Sequence, residues 1–123
     1  MAVAMDQLLN KEVKRLDMWN ANLGRNKGSV QSGERPVVVL GNDRGNKFSP
    51  VVIVAPVTSK VKKHLPTHVK VGAEEAGLYD DSIILLEQIM TISKDQLEFK
   101  IASLSEKFQA PIKSALAVSL QML

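Results

Sequence analysis

The sequence offers few groups able to do chemistry, and their spacing excludes more than it selects. Its two histidines, His64 and His68, stand four positions apart, a separation that puts two ligands on one face of a helix. His64, however, falls in a polar, basic loop and His68 in an alternating, strand-like run, so the pair is not expected to share a face. No HExxH pattern and no carboxylates at metal-ligand spacing accompany them; neither a metal nor another cofactor is expected. There is no cysteine, which removes thiolate nucleophiles, disulfides and Cys-ligated zinc. GxGxxG and GxxxxGK[ST] phosphate cradles are missing, as is a GxSxG elbow. A Ser-His-Asp arrangement is compatible with the composition, yet no spacing points to one. An enzyme built from this chain must work with a sparse site.

Positive charge is the resource present in quantity. The net charge is only +3, but its distribution is uneven. Between Lys11 and Lys70 stand 12 basic and 4 acidic residues, and from Val71 to Leu123 the counts are 4 and 8. A basic front section on a folded domain fits a polyanion or an acidic partner. Arg25 and Lys27 lie in GRNKGSVQSG (24–33), and Lys60, Lys62 and Lys63 in TSKVKKH (58–64). As flanks of a groove these side chains would contact phosphates.

The elements that must position such groups are mostly strands. RPVVVL (35–40) is a run of β-branched residues with Pro36 at its start, where a missing donor is tolerated. VVIVAPV (51–57) is a second buried strand, and SIILL (82–86) a third, running into EQIMTI (87–92). A strand-like core surrounds Met18, Trp19 and Ala21, THVKV (67–71) alternates with one wet face, and 97–104 adds a last short strand. The stretch 24–33 reads as a mobile loop and GNDRGNKFSP (41–50) as a turn-rich connection. Near the end the period changes: Ile112, Ala115, Leu116, Ser119, Leu120 and Leu123 recur at helical spacing, so 111–122 is expected to be an amphipathic helix with Pro111 in its first turn. Many short strands and one terminal helix indicate a mainly β fold, a small and strongly bent barrel.

The bulk figures agree with this picture. At 123 residues, 45% apolar and 24% charged, the chain suits one globular domain with a modest core. Residues 1–12 read as an N-terminal extension, with a short helix around Leu8 and Leu9, and 13–123 as the domain. Met1 to Asn10 lacks the basic-then-apolar layout of a signal peptide. No apolar run approaches the ~20 residues of a membrane helix. A cytoplasmic protein without a membrane partner is expected.

Four words of the sequence carry a resemblance: GSVQSGERPVVVLGND at 28–43, GNKFSPVVIVAPVTSK at 45–60, LPTHVKV at 65–71 and DSIILLEQIMTI at 81–92. Collinear and at family spacing, they are similar to the MazF/PemK toxin endoribonucleases of type II toxin–antitoxin systems. The resemblance implies an SH3-like small barrel of the CcdB/MazF/PemK kind and a homodimer. It implies metal-independent, sequence-specific cleavage of single-stranded RNA, and an acidic MazE-like antitoxin partner; from the charge distribution, an acidic, partly disordered segment of that partner is expected to lie across the basic groove and displace the 28–33 loop. It places Arg35 and Thr58 at the family's catalytic arginine and threonine. Leu65, Thr67, His68, Glu87 and Gln88 match positions along the RNA groove or the dimer seam, and Ser29, Gln31, Asn42 and Lys60 are carried over as RNA-binding residues. The chain departs from the family pattern at Leu16, where a glycine is usual, and at Val30, Ser32, Met90 and Pro111.

The chemistry of these residue types fits the implied reaction. RNA carries its own nucleophile, the 2′-hydroxyl, so a protein need only align sugar and phosphate and stabilise the charge that develops. A guanidinium donates two parallel hydrogen bonds to phosphate and keeps its charge, which makes Arg35 a charge stabiliser before a proton donor. Thr58, at the end of a buried strand, can donate to a phosphoryl oxygen or orient the 2′-hydroxyl. Glu87, His68 and water are the candidate bases. Phe48 and Trp19 are the aromatic surfaces considered for base stacking, with Trp19 expected in the core. A second reading keeps the barrel but not the catalysis: a binding module or a toxin that poisons a topoisomerase.

Overall fold

A computed structural model describes residues 11–60 and 63–122. The short helix expected around Leu8 and Leu9, most of the N-terminal extension, and Lys62 lie outside the described residues. The chain runs through β1 (Asp17–Asn22), β2 (Glu34–Val39), α1 (Asp43–Phe48), β3 (Val51–Thr58), β4 (His68–Val71), α2 (Ala73–Ala76), β5 (Ser82–Leu85), β6 (Met90–Ser93), β7 (Leu97–Ser103) and α3 (Gln109–Ser119). The mainly β architecture with a C-terminal helix is the one expected. Among the described residues no helix is long and apolar enough to cross a membrane.

All seven strands pair antiparallel in the order β4-β5-β3-β2-β1-β7, with β6 also on β3. β3 is long enough to carry two partners end to end on one edge. Its first half pairs β6 (Val51↔Ser93 to Val54↔Met90) and its last two residues pair β5 (Val57↔Ile84, Thr58↔Ile83). Between those partners the chain makes a 3-10 turn at Leu86–Gln88. The apolar run over 82–92 is therefore two strands rather than one continuous stretch.

Alternation sorts β2 and β3 between two cores, because successive side chains of a strand point to opposite faces. Val38, Ala55 and Val57 join Phe108, Ile112 and Ala115 beneath α3. Val37, Val39, Val52 and Val54 join Trp19, Ala21, Ile92 and Leu97 on the other side. Burial on both faces holds for 37–39 and 54–57, whereas Val51 and Ile53 at the start of β3 are exposed. Trp19 is a core residue, as expected, and offers no surface to a ligand.

Two short helices correct the sequence reading. The stretch 41–50 contains α1, although its glycines and proline read as turns. Asn42 caps it by accepting from the Gly45 amide at 2.8 Å, and Asn46, buried, donates to the Gly41 carbonyl at 2.9 Å; side-chain caps outweigh weak helix propensity here. α2 escapes notice because its four residues are too few to show a period. α3 starts at Gln109, so Pro111 sits within its first turn, where the absent N–H costs nothing.

Leu16 has a structural consequence of its own. Its φ is +71°, the left-handed region that costs a non-glycine residue about 1–2 kcal/mol. The conformation is held from both sides: the Leu16 amide donates to the Val39 carbonyl at 2.8 Å, and the Leu16 carbonyl accepts from the Leu104 amide at 3.0 Å. Its side chain is 5% exposed in the core beneath α3, and burying a leucine offsets a cost of that size.

Candidate functional site

The register of the sheet brings Arg35 and Thr58 together across 23 residues of sequence. β2 and β3 pair Val37 with Pro56 and Val39 with Val54; extended two residues, that register sets Arg35 opposite Thr58. Directly opposite residues of an antiparallel pair face the same side. Both line one open cleft of about 320 Å³ with Lys60.

Each of the two is partly engaged and partly unspent. The Arg35 Nε donates to the Ser32 carbonyl at 3.0 Å, which fixes one edge of the guanidinium; no hydrogen bond of its two terminal nitrogens is seen among the described residues. Thr58 Oγ1 accepts from the Lys60 amide at 3.1 Å, a local turn that directs the hydroxyl's lone pair inward and leaves its proton to donate. Arg35 and Thr58 are both half-buried. The cleft thus holds a charged fork and a hydroxyl donor, the groups that bind a phosphoryl oxygen.

The remaining candidates form two further clusters. In the first, the Gln31 amide donates to Gln88 Oε1 at 2.9 Å and Gln88 Nε2 donates to the Ser29 carbonyl at 3.1 Å. The loop holding Ser29 and Gln31 is closed at its base by Leu23 and Gly33 amides donating to the Gly33 and Gly24 carbonyls. Asn26 and Ser32 bridge it internally. It is a tied loop, with Val30 exposed at its surface.

In the second cluster, His68 is buried and both its ring nitrogens are engaged. Nδ1 accepts from the Leu65 amide at 3.1 Å, and Nε2 meets Glu87 Oε2 at 2.9 Å. An accepting Nδ1 places the proton on Nε2. A general base needs a free lone pair, and His68 has none left. Glu87 accepts from Thr67 Oγ1 as well, at 3.2 Å. His64 and His68 do meet, edge to face at 5.8 Å, but among the described residues no three acidic or histidine side chains gather as a metal site.

Asn42 stands apart. It lies beyond the C-terminal end of β2, opposite the end that carries Arg35, and its side chain is occupied in capping α1. Phe48 is exposed beside it, lining a separate hollow with Arg44 and Pro50, so neither aromatic considered for stacking is in the Arg35 cleft.

Sequence reasoning missed several residues that are, among them three with charged or aromatic side chains. Tyr79 is fully exposed and lines the cleft with Asp80 and Glu34. None could be found by pattern: 72–80 falls between the recognisable words, and Glu34 was read only as part of ERPVVV. The Glu34 carboxyl is held above the usual carboxylate range by a hydrogen bond with the Glu98 carboxyl and by that group's charge. Asn20 Nδ2 donates to Glu98 Oε1, tying the acidic pair to β1 at the cleft's rim.

A family model described as the PemK-like, MazF-like toxin of type II toxin–antitoxin systems matches residues 14–120. The chain is 46% identical over 112 residues to the endoribonuclease EndoA of Bacillus subtilis, covering 90% of this chain and 97% of that relative. It is 44% identical over 109 residues to the endoribonuclease MazF of Staphylococcus saprophyticus, covering 88% and 91%. Among solved structures, MazF from Deinococcus radiodurans superposes with a TM-score of 0.79 at 20% identity, over 92% of this chain and 100% of that one. A mycobacterial endoribonuclease in complex with its cognate antitoxin superposes with a TM-score of 0.76 at 21% identity, over 90% and 97%. These two likenesses show a shared fold.

Proposed function

The chain belongs to the PemK-like, MazF-like toxins of type II toxin–antitoxin systems, and from that premise we infer that it is an endoribonuclease whose Arg35 and Thr58 act on a phosphodiester of single-stranded RNA. The observation that carries the site is one cleft holding Arg35 and Thr58, with two guanidinium nitrogens and the threonine proton unspent among the described residues.

The reaction needs little covalent chemistry from the protein. The substrate's 2′-oxygen attacks the adjacent phosphorus and the bond to the 5′-oxygen breaks. A 2′,3′-cyclic phosphate forms on one fragment, and the released 5′-oxygen takes a proton from water to become the 5′-hydroxyl of the other. Arg35 donates to the phosphoryl oxygens as their charge grows, and Thr58 Oγ1 donates a further hydrogen bond. With His68 engaged at both nitrogens and Glu87 at Thr67 and His68, we assign the 2′-hydroxyl proton to water, and no metal is needed. Lys60 supports the RNA backbone and Tyr79 offers a base a stacking surface at the cleft. The alternative of a non-catalytic topoisomerase poison is not favoured, because both sequence relatives are endoribonucleases.

The assembly is inferred on the same footing. Residues 13–123 form the toxin domain, the family match beginning at 14, and 1–12 precede it as an extension. The protein acts in the cytoplasm as a homodimer; light scattering that gives a monomer at micromolar concentration would refute the dimer. An acidic antitoxin is its partner; the complexes of mycobacterial and Deinococcus relatives support an antitoxin partner. Cleavage of a fluorogenic single-stranded RNA in EDTA tests the activity. The assignment fails if Arg35→Ala and Thr58→Ala still cleave at the parent rate.

A further inference from the structure

We propose that Gln88 is a positioning residue for Arg35, acting through the backbone of the 24–33 loop; the inference rests on the reading of Arg35 given above. The carboxamide of Gln88 presents one acceptor and one donor side by side, and the loop takes both. Its oxygen accepts the Gln31 amide at 2.9 Å and its nitrogen donates to the Ser29 carbonyl at 3.1 Å. Only one orientation of the amide satisfies both partners, so the contact fixes Gln88 as well as the loop. Residue 32 follows directly, and its carbonyl is the group that accepts Arg35 Nε at 3.0 Å.

The chain of contacts therefore runs from the turn after β5, through two loop peptides, to the edge of the guanidinium. Arg35 has many rotatable bonds, and holding one N–H edge against a fixed carbonyl turns its other two nitrogens the same way in every molecule. Such preorganisation is what a charge stabiliser needs, since the cost of aligning it is met before the reaction. Gln88 keeps one N–H and one oxygen lone pair outside these two hydrogen bonds, so base reading by Gln88 is the competing role that the test must separate.

Gln88→Met keeps the length of the side chain and removes both hydrogen bonds. Gln88→Glu keeps the acceptor for Gln31 and sets an oxygen against the Ser29 carbonyl, so it tests the clamp even if the methionine variant folds poorly. In the full-length protein two measurements are made together: the exchange and shift of the Gln31 amide and Arg35 Nε–H signals by NMR, and cleavage kinetics with mapping of the cut positions. We expect both signals to lose protection and kcat to fall on the order of ten- to a hundredfold, with KM and cut sequence unchanged and Gln88→Glu falling between. An unaltered Arg35 Nε–H signal overturns the proposal, as does a changed cut sequence at parental kcat, which would make Gln88 a base reader. Failure of the underlying site looks different: Arg35→Ala itself would then cleave at the parental rate.

Discussion

The cleft and the interior of this molecule treat cations in opposite ways. In the cleft, Arg35 is half-buried, tied at one nitrogen and open at two. In the interior, Lys94 is 0% exposed and its Nζ has no hydrogen-bond partner among the described residues. Burial, helped by the charge of nearby Lys11, lowers the Lys94 pKa below its ordinary value. Lys11 in turn spends its amine on the Lys94 and Leu97 carbonyls. Leu16, left-handed in the same interior, is a second local cost covered by packing. The lesson is a division of labour: unspent donors at the cleft are available to a ligand, whereas unspent groups inside only subtract from stability. Substitutions in the cleft should change rate without stability, and interior ones the reverse.

The strongest test of that division is Arg35→Ala. It should lower kcat by on the order of a hundred- to a thousandfold, with the unfolding midpoint unchanged; a large loss of stability would erase the distinction. Leu16 comes next, with an unusual ordering. Leu16→Ala loses the buried side chain and keeps the strained backbone, costing about 2–4 kcal/mol. Leu16→Gly loses the same packing but relieves the strain, so it should be the less destabilised of the two by about 1 kcal/mol, with RNA cleavage at the parental rate in both. Equal losses in urea unfolding would show that φ at this position carries no cost.

Tyr79→Ala should weaken RNA binding by about 1–3 kcal/mol, the worth of one stacked base, with Tyr79→Phe retaining the affinity; equal loss in both would remove stacking. For Lys94 the sign follows from linkage. Its folded pKa lies below its unfolded one, so the unfolded state binds more protons and stability rises with pH toward 10.5, the ordinary lysine value. Lys94→Met should therefore stabilise by on the order of 1 kcal/mol at pH 7, and by less at pH 10, where the parent amine is already neutral. The smallest effect belongs to Glu34. With its carboxyl raised by Glu98, the parent loses stability as pH climbs through the carboxylate range. Glu34→Gln should match it at acid pH and be slightly more stable at neutral pH by thermal unfolding.

Strands β2 and β3 were legible because each carries a run of β-branched residues, a local property of consecutive side chains. α3 was legible from its 3.6-residue period and from Pro111. α1 was not, since its stability comes from the particular bonds of Asn42 and Asn46 rather than from propensity. The site divided along similar lines. Arg35, Thr58 and Gln88 were picked out as members of recognisable words, but the words were silent on whom each side chain touches. His68 looked like a base until both its nitrogens were found engaged, and Tyr79 belonged to no word at all.

What the sequence determined alone is the family, the strand-rich architecture and the excess of positive charge in the first half, because these depend on residue type and near neighbours. What the tertiary structure decided is which groups meet: Arg35 facing Thr58, the loop held on Gln88, Lys94 shut away from water. Those meetings depend on antiparallel register, where a slip of one residue turns a side chain to the opposite face, and no local pattern encodes the pairing of positions 23 residues apart.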